Sequence, residues 1–261
     1  MGIDFWRGRV MVMAMDDATR RWIESDKRYA WHPFTPQGEW TDEGHDPLVL
    51  TRGEGVWLLD SEGRWYFDGN ASIWTNIHGH NHPAINAAIE RQLGEVAHTS
   101  YLGFAHPRAS ELAERLVGLA PEGLARVFFS DDGSTAMEVA MKMSLQYRQQ
   151  TGEAQRVRFV AFADGYHGDT MGAASLGGVA RFFERFRGFG VEVDFVKDVD
   201  ELCALDADGV NAVVIEPLIQ GVNEMRPWPS GMLRAVADWC HAHGVFLILD
   251  EVMTGFGRTG T

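Results

Sequence analysis

The stretch 245–250 places a carboxylate at the end of an uninterrupted apolar run. It reads Val-Phe-Leu-Ile-Leu and then Asp250. A strand inside a parallel sheet is covered on both faces, so its residues are apolar throughout instead of alternating with polar ones. Because a lone buried charge is costly, a carboxylate in this position calls for a cationic partner. The run therefore predicts a parallel sheet with a charged site at its carboxyl edge.

The second half of the chain alternates between predicted strands and helices. Apolar stretches predict strands near residues 127–129, 157–163, 191–196, 212–216 and 245–250. Helices are predicted between most of them, at 136–149 and 232–243. This alternation is typical of the α/β class. Earlier in the chain, residues 56–67 predict a β-hairpin with a four-residue turn, and amphipathic patterns predict helices over 83–98 and 107–119.

A polar turn follows the first predicted strand of this series. Gly133 and Ser134 come just before the predicted helix, and Thr135 and Glu138 have capping-box spacing. The first N–H groups of a helix are free and lie at the positive end of its dipole. The turn is therefore a candidate phosphate site, with an ordinary capped helix start as the alternative.

Two more predicted strands end in groups suited to a ring-shaped ligand. Tyr166 and His167 lie between two glycines after the strand near 157–163, where a flat ring could stack. Glu216 ends the strand 212–216 with a second carboxylate. A packed aromatic turn and a structural strand end are the alternatives.

These motifs together resemble the class III aminotransferases, which use pyridoxal phosphate and have fold type I. The resemblance runs from about Trp31 to Thr261. It implies an α/β large domain with a mostly parallel sheet and flanking helices, which would be incomplete and cover residues 71–261. An N-terminal extension and a small subdomain segment with the hairpin would occupy residues 1–70. The family also implies a homodimer.

The resemblance implies a role for each residue at the sheet edge. Asp250 would keep the pyridine nitrogen of the cofactor protonated, and Glu216 would lie on the O3′ side of the ring. Tyr166 and His167 would form the ring-stacking pair, with Tyr166 also facing the substrate. The same resemblance implies that Gly133 and Ser134 bind the cofactor phosphate.

Two further motifs indicate the substrate. Trp31-His-Pro-Phe34-Thr and the stretch containing Ile73-Trp74 are most similar to family members that convert 8-amino-7-oxononanoate to 7,8-diaminononanoate in biotin synthesis. Phe34, Ile73 and Trp74 would line the substrate pocket. The best-known family pattern has Tyr at position 34 and Trp at position 73, so the amino donor stays open between S-adenosylmethionine and lysine. Another class III omega-aminotransferase is the alternative.

The lysine that would form a Schiff base with the cofactor is absent from this chain. The chain has Lys27, Lys142 and Lys197, and none lies in the family's lysine motif, which comes beyond Thr261. The resemblance therefore implies a chain truncated before that lysine and inactive by itself. A catalytically inactive fragment, or one half of a split enzyme, is the alternative.

Composition argues against other classes of function. The net charge is −14 without a basic stripe, which disfavours a nucleic-acid surface. No apolar run approaches the roughly 20 residues of a membrane span. Two cysteines, Cys203 and Cys240, provide no disulfide framework, so a cytoplasmic location is expected. The first 14 residues have the character of an upstream extension, with Met15 as the alternative start.

Two sequence patterns that could indicate a different binding site have weaker support. Gly255, Gly257 and Gly260 form a literal dinucleotide-binding pattern, but no helix is predicted after it. His78, His80 and His82 alternate as metal ligands can, although no cysteine or acidic ligand is close in sequence. We therefore expect no metal site.

Overall fold

The computed structural model describes residues 15–179, 183–186 and 188–260. The predicted upstream extension over residues 1–14 lies outside them. The chain divides into two compact units, one ending at Gly103 and the other beginning at Phe104. The predicted boundary near residue 70 refers to the domains of the family and stays a prediction.

The first unit holds a small antiparallel sheet and four helical segments. Its strands pair in the order β1-β2-β3. They are β1 (Leu50–Glu54), β2 (Trp57–Asp60) and β3 (Trp65–Phe67). The helical segments are α1 (Asp17–Tyr29), α2 (Gln37–Trp40), α3 (Ala71–Trp74) and α4 (Pro83–Glu95). The predicted hairpin is confirmed as β2 and β3, and β1 adds a strand that was not predicted.

The second unit holds the parallel sheet. Its four strands run in the order β5-β4-β6-β9, and every neighbouring pair is parallel. They are β4 (Arg158–Phe162), β5 (Val193–Val196), β6 (Val210–Ile215) and β9 (Phe246–Leu249). A separate antiparallel pair is formed by β7 (Ile219–Gln220) and β8 (Arg226–Pro227).

Helices accompany this sheet along the chain. They are α5 (Pro107–Leu119), α6 (Gly133–Gln150), α7 (Met171–Ser175), α8 (Val199–Ala204) and α9 (Met232–His243), with a 3-10 turn at Glu184–Phe186. The predicted α/β architecture is confirmed. Asp198 caps α8 by accepting from the Glu201 N–H, and Gly244 ends α9 in the left-handed conformation.

The two central strands of the parallel sheet, β4 and β6, are buried as their apolar runs predict. The run 245–250 is less buried than predicted, because β9 lies at the edge of the described sheet and its Leu249 is 41% exposed. On β4, Phe159 and Ala161 pack with Met137 and Met141 of α6. Val160 and Phe162 face the opposite layer, with Val236 and Trp239 of α9 and Leu202 of α8. Side chains alternate across a strand, so consecutive apolar residues reach both layers. All six residues of β6 are buried, which makes it the centre of this core.

The predicted strand at 127–129 is wrong. These residues form no strand in the described structure, and Phe128 is 62% exposed. An apolar run becomes a strand only where a neighbouring strand completes its hydrogen-bond ladder. No described strand pairs with this segment, so its apolar character alone does not make it a β-strand.

Candidate active site

The segments that follow strands β4, β6 and β9 lie at one edge of the parallel sheet. β6 lies between β4 and β9, with Ala161 paired to Val214 and Ile215 paired to Leu249. The carboxyl ends of parallel strands meet at the same edge, which is where open α/β sheets bind ligands. The segment after β4 therefore lies beside the ends of β6 and β9.

A buried hydrogen bond joins two predicted site residues at this edge. His167 Nδ1 lies 2.8 Å from Asp250 Oδ2, and the two side chains are 1% and 7% exposed. The Val252 N–H donates to Asp250 Oδ1 at 3.1 Å. A carboxylate has about four acceptor positions, so Asp250 retains acceptor capacity for a further donor.

Glu216 is buried next to this pair. Its Oε1 accepts from the Gly221 N–H at 3.1 Å, whereas Oε2 is buried without a hydrogen-bond partner in the part of the chain that the structure describes. Burial raises the pKa of the Glu216 carboxyl to about 7; the nearby Asp250 also raises it, and the His167 charge opposes the shift. Glu216 can therefore present either a donor or an acceptor near neutral pH.

The start of α6 differs from its predicted capping. The helix begins at Gly133, three residues before the predicted start, and Asp132 is its N-cap. Asp132 Oδ1 accepts from the Thr135 N–H at 2.7 Å, and Thr135 Oγ1 accepts from the Asp132 N–H at 3.2 Å. The predicted Thr135–Glu138 capping box is wrong because Thr135 lies inside the first turn. Glu138 instead accepts N–H bonds from another segment.

Gly133 lies against the segment that follows Asp250. A Cβ atom at position 133 would lie 2.6 Å from Val252 Cγ2. Only a residue without a side chain allows this approach. Close packing therefore brings the first turn of α6 together with the end of β9.

Ser134 connects α6 to the segment that carries Tyr166 and His167. Its Oγ accepts from the N–H groups of Asp169 and Thr170, both at 3.0 Å. The Tyr166 hydroxyl donates to Asp169 Oδ2 at 2.7 Å. Burial and this hydrogen bond raise the pKa of Tyr166, which therefore stays protonated. The structure thus brings together Gly133, Ser134, Tyr166, His167, Glu216 and Asp250 in one unit.

The three predicted substrate residues belong to the other unit. Phe34 and Ile73 are each 65% exposed, and Trp74 is partly buried. Residues Ala71–Trp74 have positive φ values of 50° to 67°. Such left-handed backbone costs about 1–2 kcal/mol for each residue with a side chain. Asp68 holds this turn by accepting from the Ser72 N–H and hydroxyl, at 3.0 and 2.8 Å.

A family model supplies the deciding comparison. The model for class-III aminotransferases matches residues 40–261.

The chain belongs to the class III aminotransferase family.

Relatives within the class III aminotransferases agree with this membership. An adenosylmethionine-8-amino-7-oxononanoate aminotransferase of Geobacter sulfurreducens is 41% identical, over 90% of this chain and 56% of that protein. The protein with the same name in Aquifex aeolicus is 39% identical, over 90% of this chain and 56% of its own length. This chain therefore spans about half the length of the curated relatives it matches.

Solved structures of class III aminotransferases have the same fold. The adenosylmethionine-8-amino-7-oxononanoate aminotransferase of Methanocaldococcus jannaschii superposes with a TM-score of 0.90 at 37% identity, covering 93% of this chain and 57% of that one. An (S)-enantioselective omega-transaminase from Thermomicrobium roseum has a TM-score of 0.83 at 32% identity, covering 93% and 59%. Fold type I is thus confirmed.

Pyridoxal phosphate is the cofactor of class III aminotransferases, and the residues present fit it. Asp250 has acceptor capacity for a ring N–H, and the unpartnered Glu216 Oε2 suits the ring hydroxyl. The first N–H groups of α6 have no intrahelical acceptor and suit a phosphate. The contacts of Gly133 with Val252 and of Ser134 with the segment after β4 place the start of α6 beside the two carboxylates.

None of the three lysines lies in the predicted lysine motif. Lys142 and Lys197 are exposed, and Lys197 lies 3.9 Å from Glu201. Lys27, in the first unit, donates to the Asp42 carbonyl at 2.7 Å.

The alternating histidines and the glycine pattern near the end of the chain have other structural surroundings than a metal or dinucleotide site. His80 Nε2 lies 2.8 Å from Asp68 Oδ2, and the segment containing Gly255, Gly257 and Gly260 consists of turns. Within residues 15–179, 183–186 and 188–260, no group of three His, Cys, Asp or Glu side chains could hold a metal ion. Across the same ranges, no helix is both long and apolar enough to cross a membrane.

The sequence interpretation missed the partners of Ser134 and Asp250. Thr170 and Glu138 were not assigned to the site, and the bond between His167 and Asp250 was not foreseen. Glu138 follows Ser134 by four residues, which places both on one face of α6. That spacing is the one sequence signal that could have indicated it.

Proposed function

We propose that this chain is part of an enzyme that transfers an amino group through pyridoxal phosphate to 8-amino-7-oxononanoate, giving 7,8-diaminononanoate. The observation that carries the proposal is the meeting of Asp250, Glu216 and the Tyr166–His167 turn at one sheet edge, beside the start of α6. Relatives that bear the name of this activity cover most of the chain.

Each residue has a defined task in this proposal. Bound pyridoxal phosphate supplies an electron-accepting ring. The Asp250 carboxylate holds a proton on the pyridine nitrogen, and its buried contact with His167 fixes the direction in which its remaining lone pairs point. Glu216 Oε2 would bond to the ring hydroxyl, and burial keeps this carboxyl close to its titration midpoint at neutral pH.

The remaining residues of the site position the ends of the cofactor. Gly133 and Ser134 hold the phosphate at the start of α6, where free N–H groups attract an anion. Tyr166 would stack on the ring and face the substrate, and His167, which is 1% exposed and bound to Asp250, would hold that carboxylate in place. The hydrogen bond from Tyr166 to Asp169 supports this by restricting the phenol ring.

Phe34, Ile73 and Trp74 are proposed to line the substrate pocket. The left-handed turn over Ala71–Trp74 supports a binding role for two of them, since strained backbone is concentrated at functional sites. Phe34 and Ile73 replace the usual Tyr and Trp, so the amino donor is S-adenosylmethionine or lysine. None of Lys27, Lys142 and Lys197 is proposed to form the Schiff base.

A homodimer in the cytoplasm is proposed for the complete protein. The apolar face of α4, with Ile85, Ile89 and Leu93 more than 40% exposed, supports burial against another surface. Both cysteines are free thiols, in agreement with a reducing compartment.

Intact mass on the protein from its natural source, after borohydride reduction, tests this proposal. Reduction makes a lysine-bound cofactor permanent. A mass well above 29.1 kDa that includes a pyridoxyl phosphate adduct would support it. A bare 29.1 kDa species would instead favour an inactive fragment or half of a split enzyme. The adducted protein would then be assayed with 8-amino-7-oxononanoate and each donor.

An omega-transaminase acting on other amines is the second candidate. The structural match to the Thermomicrobium roseum enzyme and the exchange of an aromatic ring for Ile73 favour it. Turnover of simple amines without turnover of 8-amino-7-oxononanoate would decide for this candidate.

A further inference from the structure

The hydroxyl of Ser134 has all its hydrogen-bonding capacity in use. A hydroxyl has two acceptor positions and one donated proton. The N–H groups of Asp169 and Thr170 occupy the acceptor positions, both at 3.0 Å from Oγ. Thr170 Oγ1 lies 2.8 Å from the same atom. The remaining question is which of the two hydroxyls donates to the other.

The occupied acceptor positions of Ser134 determine the direction of that hydrogen bond. Because N–H groups take both of its lone pairs, only its proton remains, so Ser134 donates to Thr170 Oγ1. Glu138 holds the same segment one turn further along α6, where its Oε1 accepts from the N–H groups of Gly172 and Ala173 at 2.7 and 3.1 Å. Burial by itself raises the pKa of Glu138, but its hydrogen bonds outweigh burial and the pKa is lowered.

Two glycines allow this close packing. A Cβ atom at position 168 would lie 2.7 Å from the Ser134 Cα, and Gly168 has a φ of 118°. A Cβ atom at position 172 would lie 2.8 Å from Glu138 Oε1. The segment 168–172 therefore lies directly on the first two turns of α6, where Ser134 bonds to Thr170 and Glu138 accepts from the Gly172 and Ala173 N–H groups.

We propose that Thr170 and Glu138 are positioning residues of the cofactor site, because Thr170 accepts the one proton that the Ser134 hydroxyl can donate and Glu138 holds the residues that follow Thr170. Ser134 then offers the phosphate its backbone N–H, and its hydroxyl holds the segment that carries Tyr166. This inference rests on the proposed function, since it assigns the cup at the start of α6 to the cofactor phosphate.

Four variants of the complete protein test the hydrogen bond between Ser134 and Thr170. Ser134→Ala, Thr170→Val and the double variant all lack this bond, whereas Thr170→Ser retains the hydroxyl. Amide hydrogen exchange of the peptide 166–173 is measured without cofactor, and the Kd for pyridoxal phosphate is measured separately.

The expected result is a shared, non-additive effect. Thr170→Val accelerates exchange in 166–173 by about tenfold and weakens pyridoxal phosphate binding to a similar extent. Ser134→Ala has at least this effect, because it also removes the acceptor of the Asp169 and Thr170 N–H groups. The double variant is no worse than Ser134→Ala alone, since groups in one network couple. Thr170→Ser behaves as the natural protein does, which a merely space-filling role of Thr170 would not explain.

Ser144→Ala is the matched control on the same helix. Ser144 Oγ is buried and accepts from Asn211 Nδ2 at 2.7 Å, away from the first turns of α6. This variant should lower the Tm without changing exchange in 166–173. An equal acceleration there would show only general loosening and would overturn the proposal.

A direct contact between the Ser134 hydroxyl and the phosphate would also overturn it. In that case Ser134→Ala weakens binding tenfold or more, whereas Thr170→Val leaves the Kd unchanged. If the natural protein binds no pyridoxal phosphate, the proposed function fails, and the exchange rates still decide whether the chain of hydrogen bonds exists.

Discussion

His167 and Asp250 are joined by a 2.8 Å hydrogen bond although 83 positions separate them in the sequence. Their side chains are 1% and 7% exposed. The bond links the turn after β4 to the end of β9, so it closes the sheet edge across β6. The same carboxylate is the one proposed to hold the ring nitrogen of the cofactor.

Removal of this carboxylate should destabilise the second unit. Asp250→Ala leaves the buried His167 Nδ1 and the Val252 N–H without their acceptor, at an expected cost of about 2–4 kcal/mol in the free energy of unfolding. Urea denaturation measures this cost. Asp250→Asn retains one acceptor oxygen and should lose less. In a double-mutant cycle with His167→Phe, a coupling energy below about 0.5 kcal/mol would contradict a strong bond.

Glu216 should make stability depend on pH between its two pKa values. The pKa of this carboxyl is about 7 when folded and ordinarily 4.5, so the folded state binds the proton more tightly. The stability gained from this is complete below pH 4.5 and is lost as the pH rises through 7. At about 1.4 kcal/mol for each pKa unit, the loss amounts to roughly 3 kcal/mol.

Glu216→Gln should remove that decline. Urea denaturation between pH 4.5 and 8 would show a flatter profile for the variant than for the natural chain. Glu122 is exposed, so Glu122→Gln serves as the control and should leave the profile unchanged. Identical profiles for Glu216→Gln and the natural chain would show that Glu216 does not titrate in this range.

Gly133→Ala should be destabilising for a steric reason. Its added Cβ would lie 2.6 Å from Val252 Cγ2, and relieving that overlap costs about 1–2 kcal/mol. Val252→Ala in the same chain should restore most of the loss, as measured by Tm. Gly94, in α4, has open space around it, so Gly94→Ala should be neutral or slightly stabilising. A Gly133→Ala chain as stable as the natural one would refute the close packing.

Asp60 should stabilise the hairpin in a pH-dependent way. Burial alone would raise its pKa, but hydrogen bonds from Arg64, Tyr66 and the Glu62 N–H lower it from 3.8 to about 2. This contribution is present above pH 3.8 and is lost as the pH falls towards 2. Because the three-stranded sheet is thin and solvent screens the charge, Asp60→Asn should cost about 1–2 kcal/mol at pH 7.

The control for Asp60 is an exposed aspartate in the same unit. Asp42 accepts from the Gly44 N–H at 2.8 Å in a surface turn. Asp42→Asn should change the free energy of unfolding by less than about 0.5 kcal/mol. If the deficit of Asp60→Asn persisted unchanged at pH 2, its cause would be lost packing and not the charge of the carboxylate.

The sequence by itself determined the parallel sheet and the residues at its carboxyl edge. Continuous apolar runs are buried on both faces, and the residue after each run must emerge at the edge, so Glu216 and Asp250 were predictable from local pattern. The bounds of helix α9 were also predicted as observed. Apolar spacing and a glycine at the helix end, here Gly244, are local signals.

Only the tertiary structure decided which side chains share hydrogen bonds. The bonds of Asp250 with His167 and of Ser134 with Thr170 join positions far apart in sequence, and their geometry depends on strand order and helix packing. The prediction of a strand at 127–129 was wrong for the same reason, since a β-strand forms only where a neighbouring strand pairs with it. Local pattern thus determined where chemistry could occur, and non-local packing determined how each group is held.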